Sequence, residues 1–459
     1  MNFKSVKLFS LALIIGLQTN VFGFGKDRIK KFDWNGIEVT YLEDNRFPIY
    51  QAMIHFSDGS LSDHPKRRGE TSMMFDLIDS GTRRYSQKDI SDNLEFFGTS
   101  WGAYVTHEST VFEVSGLAKD LTPTMKKICH LFKDATFTKK EMNKYKRLFR
   151  NSARSAVNNH SLVASKAFRE ISLGNTPYSY PVAGKVKDIK KIHTKDLKRK
   201  LRYFNENVKK KIYLTGPSSI LSLKNIITKD CLWKGSSDNY ARILTYKPKK
   251  VLKKPEIFIV TVPKANQAQI RFGRFLNQGE YENQELNSLS SEFLGGGFTS
   301  KLMREIRVKR GLSYTVSAYA GGQRQYGRSV ISTFTKMKTV EELLDVVKNV
   351  LNEVKDKGVD ESEIKRAKGA LSGSFPFRFE KGSAYLQQLM HLDDINKSYD
   401  TLYKFPKIVN AFSNKDVQAN ISSLFNWNNQ TIVIVGPKSL AKRLKKYGKV
   451  KVKSYKQFF

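Results

Sequence analysis

Two side chains that could take part in chemistry lie seven positions apart in REIRVKRGLSYTV, the stretch from residue 304 to residue 316. Arg307 carries a planar guanidinium fork and Tyr314 a phenol, and both groups donate hydrogen bonds to oxygen acceptors. Such donors can hold a carbonyl oxygen and stabilise negative charge that develops on it. The spacing alone favours a plainer interpretation, in which Arg307 belongs to a solvated basic helix face and Tyr314 is an ordinary strand aromatic.

Metal binding is the second kind of chemistry to consider, and the histidines bear on it. The chain has seven, and no two are closer than nine residues, so no helix presents two imidazoles at zinc-site spacing. His107 and Glu108 are adjacent on a predicted strand, where neighbouring side chains point to opposite faces. There is no Gly-x-Ser-x-Gly elbow, phosphate loop or dinucleotide fingerprint, and LGGGFTS is interpreted as a turn between helices. The residues predict no metal site in this chain.

The surrounding pattern predicts the elements that position Arg307 and Tyr314. SKLMREIRVKRG is typical of a helix that ends at Gly311, and LSYTVSAYA of a strand that Tyr314 would begin, which brings both donors to one rim. Similar elements occur in both halves of the chain. Apolar strands that end in Gly-Pro recur at Gly216 and Gly436, about half the chain apart, which predicts duplicated domains.

The sequence predicts an α+β fold of two homologous domains, each a mostly antiparallel sheet with helices packed on one face. Predicted strands alternate with amphipathic helices such as TVEELLDVVKNVLNEVKDKG. The predicted boundaries are residues 24–245 for the N-terminal domain, 246–256 for a linker rich in lysine and proline, and 257–459 for the C-terminal domain.

The composition is that of a globular protein, since 40% of the 459 residues are hydrophobic and 27% are charged. The formal net charge is +37, and basic runs such as KDIKKIHTKDLKRKLRYF could attract nucleic acid, anionic lipid or acidic polymers. We favour a diffusely basic surface without a dedicated polyanion, because the runs lack regular aromatic residues for base stacking. No internal segment approaches the roughly 20 apolar residues that cross a bilayer.

Residues 1–23 have the order of a secretory signal peptide, with a short basic start, the apolar stretch LFSLALIIGL and the small residue Gly23 at the expected cleavage site. The protein is therefore predicted to be exported. An oxidising compartment permits a disulfide between Cys129 and Cys231, but two buried free thiols are the favoured expectation, because a chain of this size does not need a cross-link.

GETSMMFDLIDSGTRRYSQKDISDNLEFFGTSWGAYVTHEST in the first half and LGGGFTSKLMREIRVKRGLSYTV in the second resemble the pitrilysin/insulinase family of zinc metallopeptidases. The resemblance is closest to the two-domain bacterial and mitochondrial-processing-peptidase branch and covers the chain after residue 23. It implies that the chain forms half of a clamshell. In active members the first helix carries His-x-x-Glu-His, whose histidines bind zinc and whose glutamate activates water.

This sequence departs from the zinc signature at each position that the resemblance assigns to it. Ser72 and Asp76 replace the two histidines, and Phe75 replaces the general base. The distal carboxylate ligand would fall near Asn151 or Ser152, and neither is an acid. The resemblance therefore implies no zinc, no other cofactor and no catalytic residue in this chain.

The resemblance also implies a role for Arg307 and Tyr314, because an arginine and a tyrosine at this spacing face the zinc across a cavity in the family. They would bind peptide or unfolded protein while a zinc-bearing homologous subunit performs hydrolysis, with this chain as the non-catalytic member of a heterodimer. The periplasm is the favoured compartment. The alternatives are a structural or assembly protein with the same fold, and a peptide- or polyanion-binding protein without a catalytic partner.

Overall fold

The structure is a computed structural model, and it describes residues 26–174, 176–236, 251–277 and 279–459. The predicted signal peptide, residues 1–23, lies outside the described residues, and so do residues 246–250 of the predicted linker. Within the described ranges, no helix has both the length and the apolar character needed to span a membrane.

Two sheets of six strands each organise these residues. The first half of the chain contributes β1 (Ile29–Trp34), β2 (Ile37–Glu43), β3 (Ile49–Phe56), β4 (Ser100–Val105), β5 (Thr110–Leu117) and β6 (Lys210–Gly216). The second half contributes β7 (Glu256–Thr261), β8 (Gln267–Leu276), β9 (Val316–Gly322), β10 (Gly327–Lys336), β11 (Thr431–Val435) and β12 (Lys449–Ser454).

Helices follow the strands in a similar order in both halves. The first half contains α1 (Glu70–Asp76), α2 (Gln87–Phe96), α3 (Leu121–Asp134), α4 (Lys139–Ser155), α5 (His160–Leu173), α6 (Val186–Ile189), α7 (Thr194–Glu206) and α8 (Leu223–Lys229). The second half contains α9 (Gln284–Gly295), α10 (Lys301–Met303), α11 (Val340–Lys357), α12 (Glu361–Ser374), α13 (Gly382–Asp394), α14 (Asp400–Ala411), α15 (Asn414–Leu424) and α16 (Leu440–Leu444).

Five of the six strands in each sheet share one topology, which confirms the predicted α+β fold of two homologous units. The strand orders are β1-β2-β6-β3-β5-β4 and β12-β7-β11-β8-β10-β9. Strands β6 and β11 come near the end of their halves in sequence but lie inside their sheets. Each pairs parallel with one neighbour and antiparallel with the other. The outer edges differ, because β1 forms an antiparallel hairpin with β2, whereas β12 follows β11 in the chain and pairs parallel with β7.

Each half contributes one helix to the sheet of the other half. Helix α5 packs on β8 and β11, where Phe168 is buried and Arg271 of β8 donates a hydrogen bond to Ser161 at 2.7 Å. In the reverse direction α13 packs on β6, and Tyr213 of β6 donates a hydrogen bond to Asp393 at 2.6 Å. Each sheet thus has helices of its own half on one face, as predicted, and a helix of the other half on the opposite face.

Several helix ends follow local sequence signals. Ser86 caps α2, because its side chain accepts the Asp89 N–H and the Asp89 carboxylate accepts the Ser86 N–H. Gly98 follows the helix with a φ of 59°, a left-handed conformation that glycine adopts readily. Helix α11 buries its apolar stripe and carries Glu341 and Glu342 in the first turn, where negative charge stabilises the helix dipole.

Cys129 and Cys231 form a disulfide, so the expectation of two free thiols is wrong. Cys129 lies on α3 and Cys231 follows α8, and the packing of α3 against α8 brings the two Cα atoms to 4.5 Å. The two cysteines are 102 positions apart in the chain. Their pairing therefore depends on how the helices dock, which local sequence does not encode.

Candidate substrate-contact site and the helix at the zinc position

Helix α1, which the family resemblance assigns to the zinc position, is anchored at its N-terminus by Asp63. The Asp63 carboxylate accepts hydrogen bonds from the backbone N–H of Gly69 at 2.7 Å and of Thr71 at 3.0 Å, and pairs with the Lys200 ammonium at 3.3 Å. Gly69 has a φ of 95°, and a Cβ there would come within 2.5 Å of the Ala183 carbonyl oxygen. The helix is therefore held by α7 and by the loop before α6.

Phe75, which the family resemblance places at the general-base position, is 3% exposed and packs among aromatic rings. Its ring centroid lies 5.3 Å from that of Phe204 and 5.9 Å from that of Phe56. The rings of Phe132 and Phe112 lie at 6.2 and 6.5 Å. Tilted and edge-to-face contacts of this kind stabilise a core beyond the area that they bury. Phe75 belongs to the core of the first half and has no atom that could accept a proton.

Ser72 and Asp76 are four residues apart and share one face of α1, as the two histidine ligands of an active member would. Ser72 Oγ donates a hydrogen bond to the Val182 carbonyl at 3.4 Å. Asp76 Oδ2 accepts a hydrogen bond of 2.8 Å from the Tyr145 hydroxyl of α4. The surrounding protein raises the pKa of the Asp76 carboxyl, and the Tyr145 hydrogen bond opposes that shift. Sequence reasoning missed Tyr145, which joins α1 to α4 directly.

The donor set at these positions does not fit zinc. Ser72 offers a hydroxyl, Phe75 offers no donor atom, and the Asp76 carboxylate is already hydrogen-bonded to Tyr145. Zinc prefers imidazole and thiolate ligands, and it needs several ligands at one site. Asn151 and Ser152 lie exposed on α4, about 9–10 Å along the helix from Tyr145. Across the described residues, no three histidine, cysteine or acidic side chains lie close enough to hold a metal ion.

Arg307 lies in a π-helical turn, Arg304–Val308, that continues α10. Such turns are rare and are frequently found at functional sites. The helical segment ends at Gly311, as predicted, where a φ of 60° lets the Leu312 N–H donate to the Ile306 carbonyl at 2.9 Å. The Arg307 side chain therefore leaves the last turn of the segment.

Tyr314 lies two residues before β9, which begins at Val316, and so does not start the strand as predicted. A local turn explains the difference. Ser313 Oγ donates to the Thr315 carbonyl at 2.9 Å and accepts the Thr315 N–H at 3.3 Å, and side-chain bonds of this kind compete with strand pairing. The Tyr314 side chain is 70% exposed at the entrance to an edge strand.

The structure brings Arg307 and Tyr314 into direct contact. The Arg307 guanidinium carbon lies 4.2 Å from the centroid of the Tyr314 ring and 5.1 Å from that of the Phe298 ring. Phe298 belongs to LGGGFTS, which the sequence analysis interpreted as a simple turn, and its side chain is 71% exposed. Stacking on ring faces leaves the N–H groups at the edge of the guanidinium free to donate. We call these three residues the Arg307 cluster.

Arg307 differs from its basic neighbours because its side chain has no acidic partner among the described residues. Three other cations of the segment each pair with a glutamate, and these are Arg304, Lys309 and Arg310. The nitrogen-to-oxygen distances are 2.6 Å for Lys309 and 2.7 Å for Arg310. The Arg307 guanidinium makes no hydrogen bond or ion pair with any residue that the structure describes. A solvated basic face therefore accounts for the three neighbours but not for Arg307.

The predicted site residues fall into two groups. Ser72, Phe75 and Asp76 lie together on α1 of the first half, and Arg307 and Tyr314 lie together in the second half. Within the described ranges, no hydrogen bond or ring contact joins the two groups. The chain thus has two separate groups of residues, one that is largely buried on α1 and one that is exposed with open hydrogen-bond donors.

Two homologous α+β units with this strand order define a fold that M16 metallopeptidases and their inactive homologues share. Residues 39–185 match the family model described as Insulinase (Peptidase family M16), and residues 211–371 match the model described as Peptidase M16 inactive domain. The chain belongs to the peptidase M16 family, which confirms the resemblance. The second match begins within β6, ahead of the predicted linker.

Similar proteins extend over most of the chain. A protein named Non-peptidase homolog YmxG, from Helicobacter pylori, is 24% identical over 389 residues, which make up 83% of this chain and 87% of that protein. The peptidase M16 inactive domain from Pseudomonas fluorescens has a TM-score of 0.78 at 21% identity, with 89% of this chain and 98% of that chain covered. The periplasmic protease PqqL from Escherichia coli has a TM-score of 0.72 at 14% identity, with 91% of this chain and 48% of PqqL covered.

Proposed function

We propose that this protein is the non-catalytic subunit of an exported zinc metalloendopeptidase complex. In this proposal Arg307 and Tyr314 hold the peptide substrate while a zinc-bearing homologous chain performs the hydrolysis. The observation that carries the proposal is the state of Arg307, which lies on two exposed rings with its N–H groups unpaired while its basic neighbours pair with glutamates.

The chemistry available to the Arg307 cluster is hydrogen-bond donation to oxygen. A guanidinium edge and a phenol hydroxyl that converge on one peptide carbonyl would orient it and stabilise the negative charge that develops during attack on its carbon. Phe298 and Tyr314 would keep the guanidinium plane fixed between them, so that little side-chain entropy is lost when the peptide binds. A zinc ion held by the partner chain would supply the activated water.

The length of PqqL supports pairing with a second M16 chain. This chain covers 48% of PqqL, so one PqqL polypeptide has about the length of two such chains. A partner of similar length would give the complex a comparable size. We propose a heterodimer in which the two chains enclose the substrate as two halves of a clamshell.

Export is supported by two features of the chain. Residues 1–23 have the order of a signal peptide. The disulfide between Cys129 and Cys231 would persist in an oxidising compartment and would be reduced in most cytosols. We propose the periplasm as the compartment, with residues 24–245 and 257–459 as the two peptidase-like domains and 246–256 as the linker.

Reconstitution with an M16 chain that carries an intact His-x-x-Glu-His helix tests the proposal. The mixture should cleave peptides that neither chain cleaves alone. Arg307→Ala and Tyr314→Phe should each lower kcat/KM of the mixture by about 100-fold or more, the loss expected when one oxyanion donor is removed. Arg310→Ala is the matched control, because Arg310 lies in the same segment but already pairs with Glu305.

Three results would contradict the proposal. Full activity of both variants would remove the donor role of the Arg307 cluster. One tightly held zinc in the purified protein, or chelator-sensitive hydrolysis by the protein alone, would mean that the chain has a metal centre of its own. The Arg310→Ala control is expected to keep its activity. That result would show that a loss of activity in the other two variants is local to the Arg307 cluster.

A structural or assembly role without proteolysis is the second candidate. The exposure of Phe298 and Tyr314, which is 71% and 70%, supports it because exposed apolar side chains that lie together are typical of a protein interface. Under this alternative, Phe298→Ser would abolish association with the homologous chain. Tyr314→Phe, which keeps the ring and removes the hydroxyl, would leave association unchanged and the mixture inactive towards peptides.

A further inference from the structure

A second group of arginines lies where the two halves meet. The turn between β4 and β5, the hairpin between β9 and β10, and helix α5 border a cavity of about 360 Å³. Val182 also lines it, and the Val182 carbonyl is the acceptor for Ser72 of α1. The cavity therefore adjoins the helix at the zinc position, although no residue of the predicted site lines it.

Arg169 of α5 and Arg328 of β10 line this cavity without partners. Neither guanidinium makes a hydrogen bond or an ion pair with the part of the chain that the structure describes. Burial lowers the pKa of Arg169, and the nearby charge of Arg328 lowers it further. Two arginines of the adjacent strand β8 do have partners, because Arg271 donates to a serine and to carbonyl oxygens, and Arg274 pairs with Glu280 at 2.5 Å.

Phenol groups surround the two guanidinium groups. Arg328 lies directly opposite Gly321 in the β9–β10 pairing, so Tyr319, two residues from Gly321, lies on the same sheet face as Arg328. A Cβ at Gly321 would come within 2.6 Å of the Tyr319 hydroxyl, so the absence of a side chain at 321 leaves room for that ring. Tyr326 and Tyr104 also line the cavity. The hydroxyls can donate to an anion beside the arginines.

The acidic and titratable groups of the cavity do not neutralise these arginines. Glu108 is the carboxylate among the described lining residues, and it accepts a hydrogen bond of 2.7 Å from the Tyr178 hydroxyl, with Arg324 as its main charged neighbour. His107 is uncharged at neutral pH, because burial lowers its pKa to about 4. The cavity thus has positive charge that the described protein leaves unpaired.

We propose that Arg169 and Arg328 bind a carboxylate of the substrate peptide, either the α-carboxylate at its C-terminus or an acidic side chain. The inference rests on the proposed peptide-holding function. Guanidinium forks bind planar carboxylates through paired hydrogen bonds, and the bound charge would relieve the repulsion between the two arginines. A volume of about 360 Å³ is near the lower end for ligand pockets, which suits one end or one side chain of a peptide.

Four fluorescein-labelled decapeptides of one internal sequence would test the site by fluorescence anisotropy. One has a free C-terminal carboxylate and no acidic residue, and the second is its C-terminal amide. The third is an amide with glutamate at the ninth position, and the fourth is the same amide with glutamine there. We expect the free acid or the glutamate peptide to bind at least about tenfold more tightly than its uncharged match. Which pair shows the difference identifies the source of the carboxylate.

Variants locate the effect. The double variant Arg169→Gln, Arg328→Gln should bind charged and uncharged peptides equally. Arg328→Lys keeps the charge but loses the guanidinium fork, so it should retain part of the affinity difference between charged and uncharged peptides. This variant remains informative if the double variant does not fold. Arg147→Gln is the matched control. Arg147 is exposed on α4, and its replacement removes one positive charge at a position outside the cavity. It should keep the full difference.

Equal affinity for all four peptides, a difference that persists in the double variant, or no saturable binding of either charged peptide would overturn the carboxylate site. Arg307→Ala separates this inference from the proposed function. If Arg307 holds the peptide main chain, the variant lowers affinity for charged and uncharged peptides by the same factor and keeps their ratio. An unchanged affinity in Arg307→Ala, with the ratio intact, would contradict the proposed function and leave the carboxylate site standing.

Discussion

Arg307 and Phe75 show at the residue scale how surroundings decide what a side chain can do. Arg307 has the same charge as Arg310, but Arg310 is bonded to Glu305 and Arg307 lies on ring faces with its donors open. The family resemblance assigns Phe75 to the position of a general base, and four surrounding aromatic rings make it a core residue. Restoring chemistry at this position would therefore place a charge inside an aromatic core, which is costly.

Phe75→Ala should lower the free energy of unfolding by about 3–5 kcal/mol, because it removes a buried ring and leaves a cavity among the remaining aromatic residues. Urea unfolding followed by circular dichroism measures the change. Phe96→Ala is the matched control, since Phe96 is 83% exposed on α2, and its effect should stay within about 0.5 kcal/mol. A Phe75→Ala protein as stable as the wild type would show that α1 does not depend on this cluster.

At the scale of elements, the turn between β4 and β5 links the first sheet to the segment before α6. His107 lies in this turn, is 7% exposed, and donates from Nε2 to the Tyr180 carbonyl at 2.8 Å. A Cβ at Gly59 would come within 2.4 Å of the Thr106 carbonyl oxygen, so the chain passes close beneath the turn. The turn is therefore packed on several sides, and a charge on His107 would be poorly solvated there.

The buried imidazole predicts a pH dependence of stability. The folded-state pKa of about 4 lies below the ordinary value of 6.5, so between these pH values the unfolded chain binds more protons than the folded protein. Stability is therefore lost as the pH falls through this window. In His107→Gln the free energy of unfolding should fall less between pH 6.5 and pH 4, by about 2–3 kcal/mol.

Urea unfolding at a series of pH values measures this difference. His64→Gln is the control, because His64 is exposed, and it should follow the wild-type profile. Parallel profiles for the wild type and His107→Gln would contradict the prediction.

At the scale of the whole molecule, the two halves stabilise each other through the exchange of α5 and α13. Side chains of both halves meet in one core, where Met53 of β3 and Tyr213 of β6 pack with residues of the second half. The disulfide adds a constraint within the first half, since it closes a segment of 102 positions between α3 and the residues after α8. Closing a long loop restricts the unfolded chain more than a short one does.

Replacing both cysteines by alanine should lower the free energy of unfolding by about 2–4 kcal/mol, because the unfolded chain regains the entropy of a long open loop. Guanidinium unfolding of the oxidised wild type and of the double variant measures the loss. The wild type in excess reductant should unfold like the variant, which serves as an internal control. Equal midpoints for oxidised wild type and variant would mean that the cross-link does not contribute to stability.

The sequence by itself predicted the fold class and the duplication, and the motifs that resemble the M16 family predicted the residues at the zinc positions and the arginine–tyrosine pair. These are properties of periodicity, motif and spacing, which are legible within a short stretch of chain or by comparing two stretches. The tertiary structure alone decided the cysteine pairing, the exchange of α5 and α13, the Tyr145 contact with Asp76 and the meeting of Arg169 with Arg328. Each of these joins segments that are far apart in the chain, and their contact depends on how whole helices and sheets pack, which no local pattern records.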